Sequence, residues 1–267
     1  MPSPQSVAVI LGSAHEQPEL AGVPLEAVAV ETAHGEVRLH RFPGRADGEA
    51  WVLFRHGAPH RLLPNQIPYR AHAAALGKVG CGALLVTSSV GVLDDAVPLD
   101  TPILVRDLLM PDNRLPDGST CTMFGEPTPG QGHLVIEEGL FSAALSARIA
   151  ELLDELGWPP PPPVLFAYVG GPRTKTAAEN ALLRQQGAQV NSMSLGPEVV
   201  LANELEIPTA ALVVGHKRSS GDCQAPLDHE TIAASLRTSR EVVERVAAAW
   251  LARARAVPFG NRIHRYG

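Results

Sequence analysis

Short, uninterrupted apolar runs recur along this chain and constrain its fold more than any other feature of the sequence. Residues 7–11 (VAVIL) and 51–54 (WVLF) are examples, and each passes directly into polar side chains and glycine. Such runs are typical of strands buried on both faces of a sheet, which need helices above and below them. The strands predicted in this way are 7–11, 27–30, 37–42, 51–54, 83–86, 103–109, 164–168 and 209–214.

Segments with a helical spacing of apolar residues separate many of these strands. The predicted helices are 68–78, 141–156, 177–186, 197–205 and 228–256. Repeated strand-then-helix order favours an α/β fold with a mixed or mostly parallel sheet covered by helices. A chain of 267 residues can bury a full hydrophobic core, and we predict a single domain over residues 1–267.

Two further segments fit neither pattern. Residues 110–132 are rich in proline, glycine and aspartate, and a long irregular segment of this kind usually covers a site or an interface. The proline run at 159–163 cannot be a helix or a central strand, so we expect a surface connection there.

The charge balance argues against a polyanionic partner. The formal net charge is −6, whereas a nucleic-acid-binding surface needs clustered lysine and arginine. Three widely spaced cysteines indicate neither a disulfide framework nor a zinc site, and the spacing of His60, His72 and His133 matches no zinc motif. The apolar run at 7–11 is too short for a signal peptide or a membrane span. We therefore expect a cytoplasmic protein that binds neither nucleic acid nor a membrane.

α/β sheets bind ligands beyond the carboxyl ends of their strands, and four polar clusters are candidates for such a position, the last of them just before the predicted helix 197–205. These clusters are Gly12-Ser13, Arg55-His56-Gly57, Thr87-Ser88-Ser89 and Met193-Ser194. Guanidinium, imidazole and hydroxyl groups beside glycine backbone form a donor set suited to an oxyanion. Each cluster alone is ambiguous, since a serine after a strand is commonly an ordinary turn or cap residue.

The clusters also stand in register with a known family. The matching stretches are 55–60 (RHGAPH), 64–65 (PN), 69–71 (YRA), 86–93 (VTSSVGVL), 171–173 (GPR), 178–179 (AE), 187–188 (GA), 193–194 (MS) and 197–202 (PEVVLA). Together they resemble the family of 5′-methylthioadenosine phosphorylases and trimeric purine nucleoside phosphorylases. The Arg-His-Gly form is closer to the methylthioadenosine branch. The resemblance implies a mixed, partly barrel-like central sheet flanked by helices, and a homotrimer or a dimer of trimers.

The resemblance also implies roles for individual residues. The positions that match the family's phosphate site are Ser13, Arg55, His56, Ser88 and Ser194. The positions that match its sugar and base contacts are Ser89, Val90, Gly91, Lys175, Met193 and Lys217. The implied reaction is phosphorolysis of a purine-type nucleoside, 5′-methylthioadenosine-like or related, to the free base and pentose 1-phosphate. Inorganic phosphate is then the co-substrate, and no metal or organic cofactor is expected.

The chain departs from the family pattern at the base. Lys217 stands where the family has an Asp or Asn, and Lys175 stands where purine nucleoside phosphorylases carry a glutamate. A changed leaving group is one explanation, because two ammonium groups suit a carbonyl-rich or acidic base. A gap in the match is another, and it would bring Asp222 to the base; loss of activity is the third. The candidate catalytic groups are therefore Lys217, His216 and Asp222.

Two other functions remain alternatives. One is a non-catalytic homologue that binds phosphate or a nucleoside, and the other is a nucleoside hydrolase on the same fold. The phosphate-side residues favour the phosphorylase, because an enzyme that uses water would leave the oxyanion site without a purpose.

Overall fold

The computed structural model describes residues 6–15, 17–219 and 229–265, and strands alternate with helices through most of that length. The elements in chain order are β1 (Ser6–Leu11), β2 (Glu19–Leu20), β3 (Val23–Pro24), β4 (Glu26–Thr32), β5 (Gly35–Arg41), β6 (Glu49–Phe54), α1 (Tyr69–Lys78), β7 (Cys81–Val92), β8 (Pro102–Leu109), β9 (Gly132–Val135), α2 (Ala143–Glu155), β10 (Val164–Tyr168), α3 (Ala177–Gln185), β11 (Val190–Ser192), α4 (Gly196–Glu204), β12 (Thr209–Arg218), α5 (His229–Arg253) and β13 (Arg262–Arg265). All the predicted strands and helices are present, with ends shifted by a few residues.

The main sheet has nine strands in the order β11-β10-β8-β12-β7-β1-β6-β5-β4. A further antiparallel pairing joins β11 to β7, with Val190 opposite Val92, and closes β11, β10, β8, β12 and β7 into a barrel. β1 runs parallel to β6 and β7, whereas β5 pairs antiparallel with β4 and β6. The prediction of a mixed, partly barrel-like α/β sheet is confirmed.

Helices cover both faces of this sheet. Ala8 and Ile10 of β1 pack in a core layer with side chains of α1 and α4. Val7 and Val9 point to the opposite face and pack with side chains of α2 and α5, including Trp250. Because both faces of β1 are buried, its sequence is apolar throughout instead of alternating. The carboxyl end of β1 therefore lies between two helical layers. This position determines where the polar residues that follow β1 lie.

β7 and β12 are longer than their apolar runs predict. β7 continues from Val86 to Val92, because β12 pairs beside it as far as Arg218. The prediction that Thr87, Ser88 and Ser89 follow the strand is therefore wrong, because they belong to it. Their backbone groups stay in the sheet ladder, while their hydroxyls lie in a polar part of the interior.

Residues 110–131 form the irregular segment that the sequence predicted, with one isolated bridge between Arg114 and Thr120. Arg70 of α1 holds this segment, since its Nε donates to the Thr122 carbonyl at 2.8 Å and its Nη2 donates to the Thr120 carbonyl at 2.8 Å. The proline run at 159–163 also lacks regular structure, as expected. None of the helices in the described ranges combines the length and apolar character needed to cross a bilayer.

Candidate active site

A cavity of about 300 Å³ lies beyond the carboxyl ends of β1, β6 and β11 and beside the polar halves of β7 and β12. Its lining consists of Gly12, Ser13, Arg55, His56, His60, Leu63, Pro64, Ser88, Ser89, Gly91, Thr174, Lys175, Asn180, Asn191, Ser192, Met193, Ser194, His216, Lys217 and Ser219. The structure thus brings together every described residue that the sequence singled out for the site, apart from Val90. Asp222 lies outside the described residues.

Val90 is the one described residue with a predicted substrate contact that does not line the cavity. It is fully buried in the hydrophobic core and does not line the cavity. Its neighbours Ser89 and Gly91 line the cavity, whereas the Val90 side chain packs among apolar residues of the core. The Val90 side chain therefore does not line this cavity, and the substrate contact of Val90 stays a prediction.

Arg55 lies directly after β6 with a guanidinium that is almost completely enclosed. Its Nε donates to Glu198 Oε1 at 2.6 Å, and its Nη2 donates to Glu198 Oε2 at 2.7 Å and to the Thr87 carbonyl at 2.9 Å. The third nitrogen, Nη1, faces Gly12, where an added Cβ would come within 3.1 Å of it. Gly12 and Arg55 both line the cavity, and the absence of a side chain at Gly12 leaves room for Nη1 beside it.

Glu198 is the main residue that the sequence analysis missed. It belongs to the matched stretch 197–202, and a carboxylate in that otherwise apolar stretch was the available signal. Its side chain is 2% exposed and that of Arg55 is 1% exposed, so the two form a buried ion pair. Charged groups this deeply buried need a partner, which each supplies to the other.

Three serine hydroxyls meet next to this pair. Ser88 Oγ lies 3.2 Å from Ser192 Oγ, to which it donates, and 3.4 Å from Ser194 Oγ. Ser88 comes from β7, whereas Ser192 ends β11 and Ser194 follows it. Their convergence depends on the closing pair between β11 and β7, so the barrel itself builds this hydroxyl cluster.

His56 is a neutral imidazole in this site. Burial and the neighbouring Arg55 guanidinium lower the pKa of His56 to about 4. Its Nδ1 lies 2.7 Å from the Leu62 carbonyl, which can only accept, so Nδ1 carries the proton. The ring packs on His60, with the two centroids 4.6 Å apart. Nε2 is consequently left as a hydrogen-bond acceptor.

A β-bulge points two consecutive side chains of β12 into the cavity. Gly215 pairs with Val90 and Lys217 pairs with Gly91, so His216 is the extra residue in the ladder. Both His216 and Lys217 line the cavity as a result. Burial and the adjacent Lys217 ammonium lower the pKa of His216 to about 4, which keeps this imidazole neutral.

Lys175 lies just before α3 and adds a second ammonium group to the same part of the cavity. Burial and the charge of Lys217 lower the pKa of Lys175 to about 8. Glu179 of α3 does not line the cavity; it forms a two-pronged ion pair with Arg173 instead, at 2.8 and 2.6 Å. Among the described lining residues there is no aspartate or glutamate. This end of the cavity is therefore electropositive.

Two buried asparagines complete the wall and were not foreseen. Asn191 Nδ2 donates to Asn180 Oδ1 at 3.3 Å, which joins β11 to α3. No sequence pattern distinguished them from surface asparagines. Within residues 6–15, 17–219 and 229–265 no group of three or more His, Cys, Asp or Glu side chains is placed to hold a metal ion.

Two proteins with similar sequences carry the names of nucleoside phosphorylases. The chain is 32% identical over 232 residues to a probable 6-oxopurine nucleoside phosphorylase of Thermococcus kodakarensis, covering 85% of this chain and 84% of that protein. It is 30% identical over 203 residues to a probable S-methyl-5′-thioinosine phosphorylase of Pseudomonas syringae pathovar tomato, covering 76% of this chain and 79% of that protein.

A solved structure shares the fold. The methylthioadenosine phosphorylase of Schistosoma mansoni in complex with adenine superposes with a TM-score of 0.77 at 20% identity, covering 92% of each chain. The family described as the Phosphorylase superfamily matches residues 6–252. With this match over most of its length, the chain belongs to the Phosphorylase superfamily, among the purine nucleoside and methylthioadenosine phosphorylases.

Proposed function

We propose that this protein is a pentosyltransferase that cleaves a purine-type nucleoside with inorganic phosphate, which gives the free base and pentose 1-phosphate. The observation that carries the proposal is the meeting of Arg55, His56, Ser88 and Ser194 in one cavity, although they come from separate elements. The names of the similar proteins support the same reaction. Inorganic phosphate is the co-substrate, and no metal or organic cofactor takes part.

The reaction exchanges one bond at the sugar for another. An oxygen of phosphate forms a bond to the anomeric carbon while the C–N bond to the base breaks, and the electron pair of that bond leaves with the base nitrogen. The sugar passes through a cation-like transition state, which a phosphate held below the ring stabilises and then captures. The chain therefore supplies binding and orientation, and no nucleophile of its own is needed.

The phosphate end of the cavity offers hydroxyl donors, one guanidinium nitrogen and one acceptor. The hydroxyls of Ser13, Ser88 and Ser194, together with Arg55 Nη1, donate to phosphate oxygens. Monohydrogen phosphate still carries one O–H, which His56 Nε2 accepts because its Nδ1 holds the ring proton. This pairing fixes which oxygens remain unprotonated and free to attack.

The base end of the cavity carries Lys175 and Lys217, which alter base specificity. Ammonium groups donate to carbonyl oxygens and offset the negative charge that develops on a leaving base. A carbonyl-rich or acidic base fits them better than adenine, whose amino group is itself a donor. Neutral His216 adds an acceptor or a donor beside them, and Asp222 stays a predicted catalytic group outside the described residues.

A nucleoside panel assayed with and without phosphate tests the reaction and the specificity together. The panel comprises adenosine, 5′-methylthioadenosine, inosine and nucleosides of acidic bases. We expect phosphate-dependent release of the base, with kcat/KM for oxo or acidic bases at least about tenfold above that for adenosine. Phosphate binding without turnover would indicate the non-catalytic homologue, and equal turnover without phosphate would indicate the hydrolase.

Removal of the Lys217 ammonium group tests the contribution of this residue to base specificity. Lys217→Met should lower kcat/KM for the best oxo-base nucleoside about a hundredfold, which is the usual effect of losing a proton donor. The kcat/KM for adenosine should fall less. Lys78→Met, which removes an exposed lysine at the end of α1, is the matched control and should leave the panel unchanged. Adenosine ranking first in the wild-type protein would refute the specificity proposal.

We further propose that the protein works in the cytoplasm as a homotrimer or a dimer of trimers, without nucleic acid or membrane. Residues 110–131 then cover a cavity or an interface, and Leu63 at the cavity and Ile136 offer exposed apolar contacts, at 50% and 56% exposure. Light scattering of the purified protein tests the assembly, since a monomer with full activity would contradict it.

A further inference from the structure

Glu198 stands behind the phosphate end of the cavity and connects two of its parts. Besides its bonds to Arg55, its Oε2 accepts from the Leu195 backbone N–H at 3.0 Å. Leu195 follows Ser194 and has a φ of 74°, a backbone conformation that a leucine rarely adopts. One carboxylate thus joins the guanidinium after β6 to the strained loop that carries the Ser194 hydroxyl.

The same carboxylate offsets the positive charge at the phosphate end. Arg55 is the cation there, and it is paired at 2.6 and 2.7 Å with a carboxylate that does not line the cavity. His56 contributes no charge, because its pKa lies at about 4. The remaining donors are hydroxyls. A phosphate ion therefore meets a polar but nearly charge-balanced site.

The pairing also limits how Arg55 meets an anion. An unpaired guanidinium can donate two parallel N–H hydrogen bonds to one oxyanion. Here Nε and Nη2 are both occupied, so Arg55 presents the single nitrogen Nη1 beside Gly12. The geometry selects a one-point contact, which leaves the other phosphate oxygens to the hydroxyls.

We propose that Glu198 is a positioning residue that tunes the phosphate site by offsetting the charge of Arg55 and limiting it to one donor nitrogen. Phosphate is then bound loosely and keeps its negative charge for the sugar cation, where the transition state needs it. A fully charged, two-pronged arginine would bind phosphate more tightly in the ground state and make it a poorer nucleophile. This inference rests on the phosphorolysis proposed above.

Two substitutions at Glu198 separate charge from structure. Glu198→Gln keeps the shape and removes the charge, so we expect phosphate to bind at least about tenfold more tightly, with a lower kcat. Glu198→Asp keeps the charge on a shorter side chain, so phosphate affinity should not rise. A purely structural role would instead weaken phosphate binding in both variants.

Glu204→Gln is the matched control on the same helix. Glu204 also ties α4 to a loop, since its carboxylate accepts from Thr122 Oγ1 at 2.9 Å, but it has no contact with Arg55. Its substitution should leave phosphate affinity at the wild-type value. Breaking the buried pair destabilises the fold, so Glu198→Gln should melt at a lower temperature and gain more than the wild type from added phosphate.

The proposal is tested by calorimetric titration with inorganic phosphate, which measures the phosphate affinity of the full-length wild type and the three variants. Tighter binding in Glu198→Gln alone supports the proposal. Unchanged or weaker binding in that variant overturns it, as does a Glu198→Gln protein that stays unfolded at high phosphate concentration. A wild-type protein that binds no phosphate contradicts the proposed function itself, so the two failures are distinguishable.

Discussion

Lys175 is a lysine whose charge is sensitive to pH in the neutral to alkaline range. Burial and the neighbouring Lys217 lower its pKa to about 8, so it is mostly protonated at pH 7 and mostly neutral at pH 9. The protonated, positively charged form of Lys175 favours an anionic ligand. This effect is present below the pKa and is lost as the pH rises through it. The base end of the cavity is therefore most electropositive below pH 8.

A pH profile of kcat/KM for an acidic-base nucleoside tests this directly. We expect the value to fall as the pH rises through about 8, because Lys175 loses its proton there. In Lys217→Met the midpoint should move to higher pH, since the repulsion that lowers the Lys175 pKa is gone. Lys175→Met should abolish the transition; a profile that keeps it would assign the titration to another group.

Gly12 allows a second test at the residue scale. A Cβ at this position would lie 3.1 Å from Arg55 Nη1, so Gly12→Ala should displace the guanidinium and raise KM for phosphate several-fold. Gly125→Ala, where the added Cβ meets open space, serves as the control. An unchanged phosphate KM in Gly12→Ala would mean that Nη1 does not contact phosphate.

Among the elements, the apolar strands were predictable and their polar continuations were not. An apolar run in the sequence indicates a strand that is buried against other apolar side chains, and β1 and β6 are buried in this way. The outer halves of β7 and β12 face the cavity with hydroxyl, imidazole and ammonium groups, so no apolar run marks them. The two-residue strands β2 and β3 and the separate pair β9 and β13 are too short for a pattern to show.

Site residues that belong to family motifs were predictable from the sequence. Contacts between segments that lie far apart in the chain were not. The motifs identified Arg55, His56 and Ser194, and the structure brings all three to one cavity. The ion pair of Arg55 with Glu198 spans 143 residues; the carboxylate in the apolar stretch 197–202 marked Glu198, but no local pattern identified Arg55 as its partner. The bulge at His216 was equally invisible, because it depends on the pairing of β12 with β7.

The contact between α1 and residues 110–131 gives a test at the scale of elements. Arg70→Met removes the charged donors that bind the carbonyls of Thr120 and Thr122, which should cost about 1–3 kcal/mol of unfolding free energy. Proteolysis should then cut this segment faster than in the wild type. Arg148→Met, which removes one exposed ion pair on α2, should change neither property measurably.

For the whole molecule, α5 connects the hydrophobic core to the site. Trp250 is fully buried, and its Nε1 donates to the Ala8 carbonyl of β1 at 3.1 Å. About three turns earlier on α5, Ser239 Oγ lies 3.2 Å from Ser89 Oγ at the cavity. The helix thus supports both the strand that leads to Ser13 and the wall that Ser89 forms.

Substitution of Trp250 measures this support. Trp250→Ala should reduce the free energy of unfolding by about 3–5 kcal/mol, because it leaves a cavity under β1. Trp250→Phe should cost less, since most of the packing remains. Denaturant unfolding of both variants checks the order, and an equal loss in the two would show that the hydrogen bond to Ala8 matters more than the packing.

The central claim is that phosphate itself becomes bonded to the sugar. The most direct measurement is phosphorus NMR of the wild-type protein with its best nucleoside and inorganic phosphate, alongside quantification of the free base. We predict one equivalent of pentose 1-phosphate for each equivalent of base released. Free base that accumulates without pentose 1-phosphate would contradict the account.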